Sequence, residues 1–246
     1  MGLKYYFLSD AHLGSRMTAP DIREEKLIRF CSRIAGAEAL FLLGDIFDFW
    51  FEYRRVVPSA HFNVLHNLRK LAATGTALYY IRGNHDLWRG KYLTETIGME
   101  ILSRPATFKI SGLRVHLCHG DGFLKGDVTY PIHRFIMHNP ISVFLYRLVH
   151  PDFGIPFAMW MSRQSRKSME KHTNRETVMA SYRERAADVL KTAGYDALIA
   201  AHTHYADIRD FDGRLYINTG NWLTDFDYLL LEDGKFSLKK FKGENE

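Results

Sequence analysis

Short apolar runs and amphipathic stretches alternate along the first third of the chain. Tyr5 to Leu8 is an uninterrupted apolar run, which predicts a buried strand, and Ile22 to Ile34 carries apolar residues at helical spacing. Ala39 to Leu43 predicts a second strand, Phe62 to Leu71 a second helix, and Ala77 to Ile81 a third strand. Strand–helix–strand–helix–strand predicts parallel pairing with right-handed crossovers. Two further strand-like runs, Thr107 to Ile110 and Leu113 to Cys118, are joined by Ser111-Gly112 and read as a hairpin.

The pattern changes at Phe123. From there to about Arg175, Pro131, Pro140, Pro151 and Pro156 punctuate aromatic-rich pieces such as Ile141 to Val149 and Phe157 to Met161, which read as helices. We take residues 123–175 as an inserted helical cap, and 1–122 together with 176–246 as one core. The core pattern resumes with a helix over Glu176 to Leu190 and a strand over Ala197 to Ala200, then turns at Gly213 and Gly234 between the final strands. The sequence contains no internal repeat and no linker of the kind that separates independent domains.

At 246 residues, 46% hydrophobic and 25% charged, the chain has ordinary globular usage, which excludes disorder and low-complexity classes. Cys31 and Cys118 are too few for a disulfide framework or a thiolate zinc site, and they fit a reducing compartment. A net charge of +5 favours an anionic partner without choosing among phosphates, nucleic acid and a membrane surface. Asp10 interrupts the first apolar run, so no signal peptide is expected, and no run reaches the about 20 residues that a membrane span needs. The expectation is a cytoplasmic protein, at most peripheral to a membrane.

Five polar clusters, each following a strand-like run, change the picture. They are Asp10-Ala11-His12, Gly44-Asp45, Gly83-Asn84-His85-Asp86, His119-Gly120-Asp121 and His202-Thr203-His204. In open α/β sheets ligands bind beyond the carboxyl ends of strands, so these ends can converge on one place. Residues two apart in an extended segment share a direction, which would let Asp10 with His12, and His202 with His204, each present a pair to one point. Any one of these residues alone is as easily a cap or a turn residue; five such clusters in order are not explained that way. Oxygen and imidazole donors without thiolate suit Mn, Fe, Zn or Co in a site of more than four ligands. The set is too large for one ion and fits two, with Asp45 bridging; two ions about 3.5–4 Å apart can clamp a phosphoryl oxygen during in-line displacement.

The order Asp-x-His, Gly-Asp, Gly-Asn-His-Asp, His-Gly-Asp, His-x-His resembles the calcineurin-like metallophosphoesterase superfamily. The resemblance implies a four-layer α/β/β/α sandwich carrying a dinuclear centre, Mn2+ being the expected metal. By position, Asp10, His12, Asp45 and His204 match the ligands of one ion, and Asp45, Asn84, His119 and His202 those of the other. Ala201 stands where the superfamily usually has glycine.

Within the superfamily the chain is similar to the UDP-2,3-diacylglucosamine hydrolases of lipid A synthesis. The run from Gly44 to Tyr53, His119-Gly120-Asp121-Gly122, Gly126-Asp127, Tyr130, His150 to Gly154 and Ser162-Arg163-Gln164-Ser165-Arg166 carry the likeness. It implies hydrolysis of a lipid-linked nucleotide sugar at the α-phosphorus, giving UMP and the acylated sugar 1-phosphate, at the inner-membrane surface. Asp127 and Tyr130 match positions that contact substrate, as do Asn84 and His202 among the ligands. His85 stands where better-known proteobacterial members have arginine; it is a candidate to bind a phosphoryl oxygen or protonate the leaving group, with Asp86 as a possible orienting partner.

The remaining candidates stay open. Arg163, Arg166, Lys167 and Lys171 recur at roughly helical spacing, so that with Ser165 they either face a diphosphate or form a solvated helix face. Phe135, Ile136, Phe144, Leu145, Leu148, Phe157, Met159 and Trp160 either line a groove for acyl chains or build core. Asp48 and Asp121 are candidate partners of the ligand histidines. The alternatives are a metallophosphoesterase of another substrate (nucleotide pyrophosphatase, phosphodiesterase or nuclease), or a non-catalytic scaffold. No compact Lys/Arg cluster interleaved with aromatics speaks for nucleic acid.

Overall fold

The computed structural model describes residues 2–15, 19–86, 90–123, 135, 139–172 and 174–243, with the side chains of 165–172 excepted. Strand β1 (Lys4–Leu8) leads through α1 (Pro20–Arg33) to β2 (Ala39–Leu42), and α2 (Phe62–Ala73) leads on to β3 (Ala77–Tyr80). The short strand β4 (Met99–Ile101) follows a π-helical turn over Tyr92–Ile97. These strands pair in parallel in the order β1-β2-β3-β4. Strands β5 (Ala106–Ile110) and β6 (Leu113–Leu117) form the expected hairpin.

Two helices, α3 (Pro140–Leu148) and α4 (Pro151–His172), precede α5 (Arg175–Ala193). Then come β7 (Ala197–Ala200), β8 (Ala206–Phe211), β9 (Arg214–Thr219), β10 (Asp227–Glu232) and β11 (Lys235–Lys240). One sheet runs β11-β10-β1-β2-β3-β4 and the other β5-β6-β7-β9-β8, with β6, β7 and β9 mutually parallel.

Side-chain alternation sets the layers. On the first sheet, Leu8, Leu40, Leu42, Leu78 and Tyr80 pack with Leu27 and Phe30 of α1 and Val64 and Leu68 of α2. Their neighbours Phe7, Ala39, Phe41 and Ile81 point the other way, against Val115, Leu117, Ala197, Ile199 and Ile217 of the second sheet. That sheet's outer face, Leu198, Ala200 and Tyr216, is covered by Tyr182, Ala186 and Leu190 of α5. The result is a four-layer α/β/β/α sandwich. Strands buried on both faces read as continuous apolar runs, which is why β1, β2, β3 and β7 are legible in the sequence.

Proline misleads in one place. α4 runs unbroken through Pro156, which was expected to punctuate the segment. The proline lies near the helix start, where the partner it forgoes is the carbonyl of Asp152, so one hydrogen bond is lost rather than a turn. Asn139 and Asn174 cap α3 and α5, each side-chain oxygen accepting at 2.9 Å from the backbone N–H two residues on. A fourth apolar cluster seats α3 and α4 on the core: buried Phe49 and Phe51 pack against Val143, Tyr146, Ile155, Ala158 and Met159.

His61 shows what the core does to an imidazole. Its ring lies 4.8 Å from that of Phe47, and burial lowers its pKa from 6.5 to about 4, Asp48 opposing only weakly. Below pH 6.5 the unfolded chain takes up a proton that the folded chain refuses until about pH 4, so the stability present above 6.5 is lost across that window. His61→Phe is expected to flatten this part of the stability profile by up to roughly 3 kcal/mol. Urea midpoints at pH 7 and pH 4.5 check this; parallel profiles for both proteins would refute it.

Candidate metal centre

All five polar clusters sit at the carboxyl ends of parallel strands: after β1, β2, β3, β6 and β7. Their backbone is not extended there. Asp10, His12, Asp45, His202 and His204 have φ of 50°, 42°, 52°, 71° and 62°, a left-handed region that non-glycine residues enter at a cost of order 1–3 kcal/mol each. The ligand pairs are therefore aimed by left-handed turns, not by strand alternation. They also split: His204 groups with Asp10 and His12, whereas His202 groups with Asp45 and His119.

The first two loops are fastened together. Asp10 N–H donates to Gly44 O at 3.1 Å, His12 N–H to Asp45 O at 2.9 Å, and Leu13 N–H to Ile46 O at 2.9 Å. A buried guanidinium completes the frame: Arg23 Nη1 donates to Ala11 O at 3.1 Å and His12 O at 2.8 Å, and Nη2 donates to Ser15 O. Sequence reasoning missed Arg23, although the signal was there. It falls on the apolar stripe of α1, with Leu27, Phe30 and Cys31, where a charge is out of place unless the fold uses it. Gly44 lets a third loop approach, since a Cβ there would lie 2.6 Å from both Gly83 N and His119 Nδ1.

Asp45 is the hub. Its Oδ2 lies 3.3 Å from His119 Nε2, 3.9 Å from His12 Nε2 and 3.9 Å from His85 Nε2, while Oδ1 accepts from His85 N–H at 2.9 Å. On one side, Asp10 Oδ1 is buried without a hydrogen-bond partner and faces His204 Nε2 at 3.3 Å, which faces His12 Nε2 at 3.2 Å. On the other, His119 Nε2 lies 3.2 Å from Asn84 Oδ1 and 3.1 Å from His202 Nδ1. His119 Nδ1 sits 2.8 Å from Leu43 O, which can only accept, so Nδ1 carries the hydrogen and Nε2 faces the cluster.

Electrostatics favour a bound cation. Burial lowers His12 and His202 to about 4, leaving both rings neutral, as ligation requires. Burial also opposes charge on His119, but Asp45 outweighs it and raises that ring to about 10. Asp10 and Asp45 are held ionised despite burial, by His204 and His119 respectively. Buried carboxylates this close to one another and to imidazole nitrogens attract either a proton or a divalent ion. The orphaned Asp10 Oδ1 and the facing ring nitrogens fit two divalent ions sharing Asp45, with Asp10, His12 and His204 on one side and Asn84, His119 and His202 on the other.

Other candidates fall differently. Asp86 does not orient His85; its carboxylate accepts from Ile46 N–H at 2.9 Å, Gly83 N–H at 2.6 Å and the Tyr80 hydroxyl. Asp48 Oδ1 does lie 3.5 Å from His12 Nδ1. Asp121 pairs with Arg104, whose Nη1 reaches Gly83 O at 3.4 Å, and despite burial His119 and Arg104 together hold its carboxyl below the usual range. Asp127, Tyr130 and Ile136 lie outside the described residues, and Ser165, Arg166, Lys167 and Lys171 lie on α4 where side chains are not described. Arg163 Nε donates to Met159 O at 3.2 Å. Of the apolar set, Met159 packs on the core, while Phe135, Phe144, Leu145, Leu148, Phe157 and Trp160 are each more than half exposed.

Comparison with known proteins identifies the family. A family model described as calcineurin-like phosphoesterase matches residues 3–206. A UDP-2,3-diacylglucosamine hydrolase of Porphyromonas gingivalis is 36% identical over 185 residues, covering 74% of this chain and 71% of that protein. Proteins of the same name from Neisseria meningitidis serogroup B and Edwardsiella ictaluri are 31% and 30% identical, covering 93% and 89% of this chain and 94% and 84% of theirs. A family match spanning most of the chain, with relatives aligned over most of both lengths, makes this chain a member of the calcineurin-like phosphoesterase family.

Proposed function

We propose that this protein hydrolyses the diphosphate of UDP-2,3-diacylglucosamine by attack of water at the α-phosphorus, giving UMP and 2,3-diacylglucosamine 1-phosphate, a step of lipid A synthesis. The observation that carries the reading is three overlapping donor groups, two sharing Asp45 and the third joined to them through His12, in a chain aligned over nine-tenths of its length with hydrolases of that name. Two divalent ions, Mn2+ by expectation, would be held by Asp10, His12, Asp45, Asn84, His119, His202 and His204. Bound there, they would supply Lewis acidity toward the phosphoryl oxygens and acidify water.

The chain's own residues do the rest. Asp45 holds both halves of the centre in register. His85 points Nε2 toward the centre, 3.9 Å from Asp45 Oδ2, where it can donate to a non-bridging oxygen or to the leaving 2,3-diacylglucosamine 1-phosphate. Residues 123–175 form the cap of this reading, with Asp127, Tyr130, Ser165, Arg166 and Lys167 as candidate substrate contacts. The exposed apolar residues of α3 and α4 suit acyl chains and, with the chain's basic excess, peripheral attachment to an anionic inner-membrane surface. No helix among the described residues is long and apolar enough to cross a membrane.

The test is UMP release from UDP-2,3-diacylglucosamine by metal-depleted protein resupplied with single divalent ions, Mn2+ first. Ion-dependent release supports the reading. Hydrolysis of an aryl phosphodiester with that substrate left intact would move the protein to the phosphodiesterase alternative. His85→Gln, which keeps a polar side chain but cannot shuttle a proton, is expected to lower kcat about 10²-fold with metal content unchanged. An unaltered kcat would remove His85 from the chemistry.

A further inference from the structure

The partner expected for His85 was its neighbour Asp86, and that carboxylate is occupied by Ile46, Gly83 and Tyr80. A different residue reaches the ring. Ser162, on α4, has its Oγ 3.0 Å from His85 Nδ1 and donates to Asp48 Oδ1 at 3.3 Å. The same Nδ1 lies 3.2 Å from the backbone carbonyl of Asp48. A carbonyl oxygen only accepts, so the hydrogen sits on Nδ1. The single hydroxyl hydrogen of Ser162 is engaged by Asp48, which leaves an oxygen lone pair for Nδ1–H. The ring is gripped on one edge by two acceptors, and its plane stands at 90° to that of His12, 4.8 Å away. Nε2, on the opposite edge, faces the centre, 3.9 Å from Asp45 Oδ2.

We propose that Ser162 is a positioning residue: together with Asp48 it fixes the tautomer and plane of His85, and because it is carried by α4 it makes that arrangement depend on the helix being seated on the core. The seat is the apolar cluster of Phe49 and Phe51 against Ile155, Ala158 and Met159, and Ser162 lies one helical turn beyond Met159. Polar contact to His85 and apolar contact to Phe49 and Phe51 thus come from one helix. Lifting α4 would withdraw Ser162 and so loosen the ring. The inference rests on the reading of His85 as the residue facing the phosphoryl group.

A double-mutant cycle tests it, with the metal-loaded full-length protein assayed on both UDP-2,3-diacylglucosamine and an aryl phosphodiester. Ser162→Ala is expected to lower kcat about tenfold with KM within about twofold, and Ser162→Thr, which keeps the hydroxyl, to restore it. In a His85→Gln background, Ser162→Ala is expected to cost nothing further, because the two residues act as one unit. Equal losses with and without His85, or failure of threonine to rescue, would overturn the proposal. If the lipid substrate is the wrong one, UMP release fails in wild type while the cycle is read on the aryl ester. Ring nitrogen NMR of protein loaded with a diamagnetic divalent ion gives a readout that needs no turnover. His85 should give one sharp Nδ1–H ring signal in wild type and a shifted or broadened one in Ser162→Ala, where the ring plane is less firmly held; an identical ring signal in both would also overturn it.

Discussion

Asp45→Asn is expected to lower kcat for hydrolysis by about 10³-fold or more, equivalent to about 4 kcal/mol of transition-state stabilisation. The substitution keeps the shape of the side chain and the acceptor for His85 N–H, which Oδ1 takes at 2.9 Å, so the loop has no reason to unfold. What it removes is the negative charge that three imidazoles face within 3.3–3.9 Å. His119 owes its raised pKa first to overcoming burial through Asp45, so the variant ring should release its proton at lower pH. With the charge gone, neither half of the centre has a shared anion, and elemental analysis should find fewer than two divalent ions bound per chain. Stopped or continuous assays of UMP release check the rate. Activity within tenfold of wild type, with two ions bound, would mean that Asp45 is not the bridge.

How much of this was readable beforehand follows from what each residue's environment demands. Strands covered on both faces must be apolar throughout, so β1, β2, β3 and β7 stand within a residue of their expected limits. β4 was missed because three residues, Met99–Ile101, are too few to show a period, and the π-helical turn before it has no stripe of its own. The donor residues were legible as types at strand ends, since carboxylates and imidazoles gathered beside glycines are unusual in loops.

Their grouping was not legible in the spacing. Spacing alone pairs His202 with His204, because an extended chain would aim them alike, whereas φ values of 71° and 62° send them to opposite sides of Asp45. Nor does adjacency identify partners. Asp86 looks like the companion of His85, yet it supports the backbone of Gly83 and Ile46, and a serine 77 residues away meets the ring instead. Long-range contacts of this kind depend on where helices seat, which hydrophobic periodicity does not encode.

Gly83→Ala is expected to reproduce the loss expected on removing the Asp45 charge, about 10³-fold in kcat, although residue 83 donates no ligand. A Cβ at this position would lie 1.9 Å from Asp45 Oδ1 and 2.5 Å from Asp45 N. Neither the carboxylate nor the backbone can stay where it is. The loop has little room to retreat, because Gly83 N–H is tied to Asp86 at 2.6 Å and its carbonyl is approached by Arg104 at 3.4 Å. Displacing the carboxylate by an ångström separates it from imidazoles it meets at 3.3 Å, and overpacking of this sort also costs about 1–3 kcal/mol of stability. Gly75→Ala is the control: it has a φ of +93° but nothing within 4 Å of the added methyl, so it should lose about 1–2 kcal/mol through backbone strain and keep full activity. Because Gly83→Ala and Asp45→Asn act on the same carboxylate, the double variant should be no slower than the worse single one. Additive losses would place the damage from Gly83→Ala outside the centre, and a fully active Gly83→Ala would show that the carboxylate position is not what the chemistry depends on.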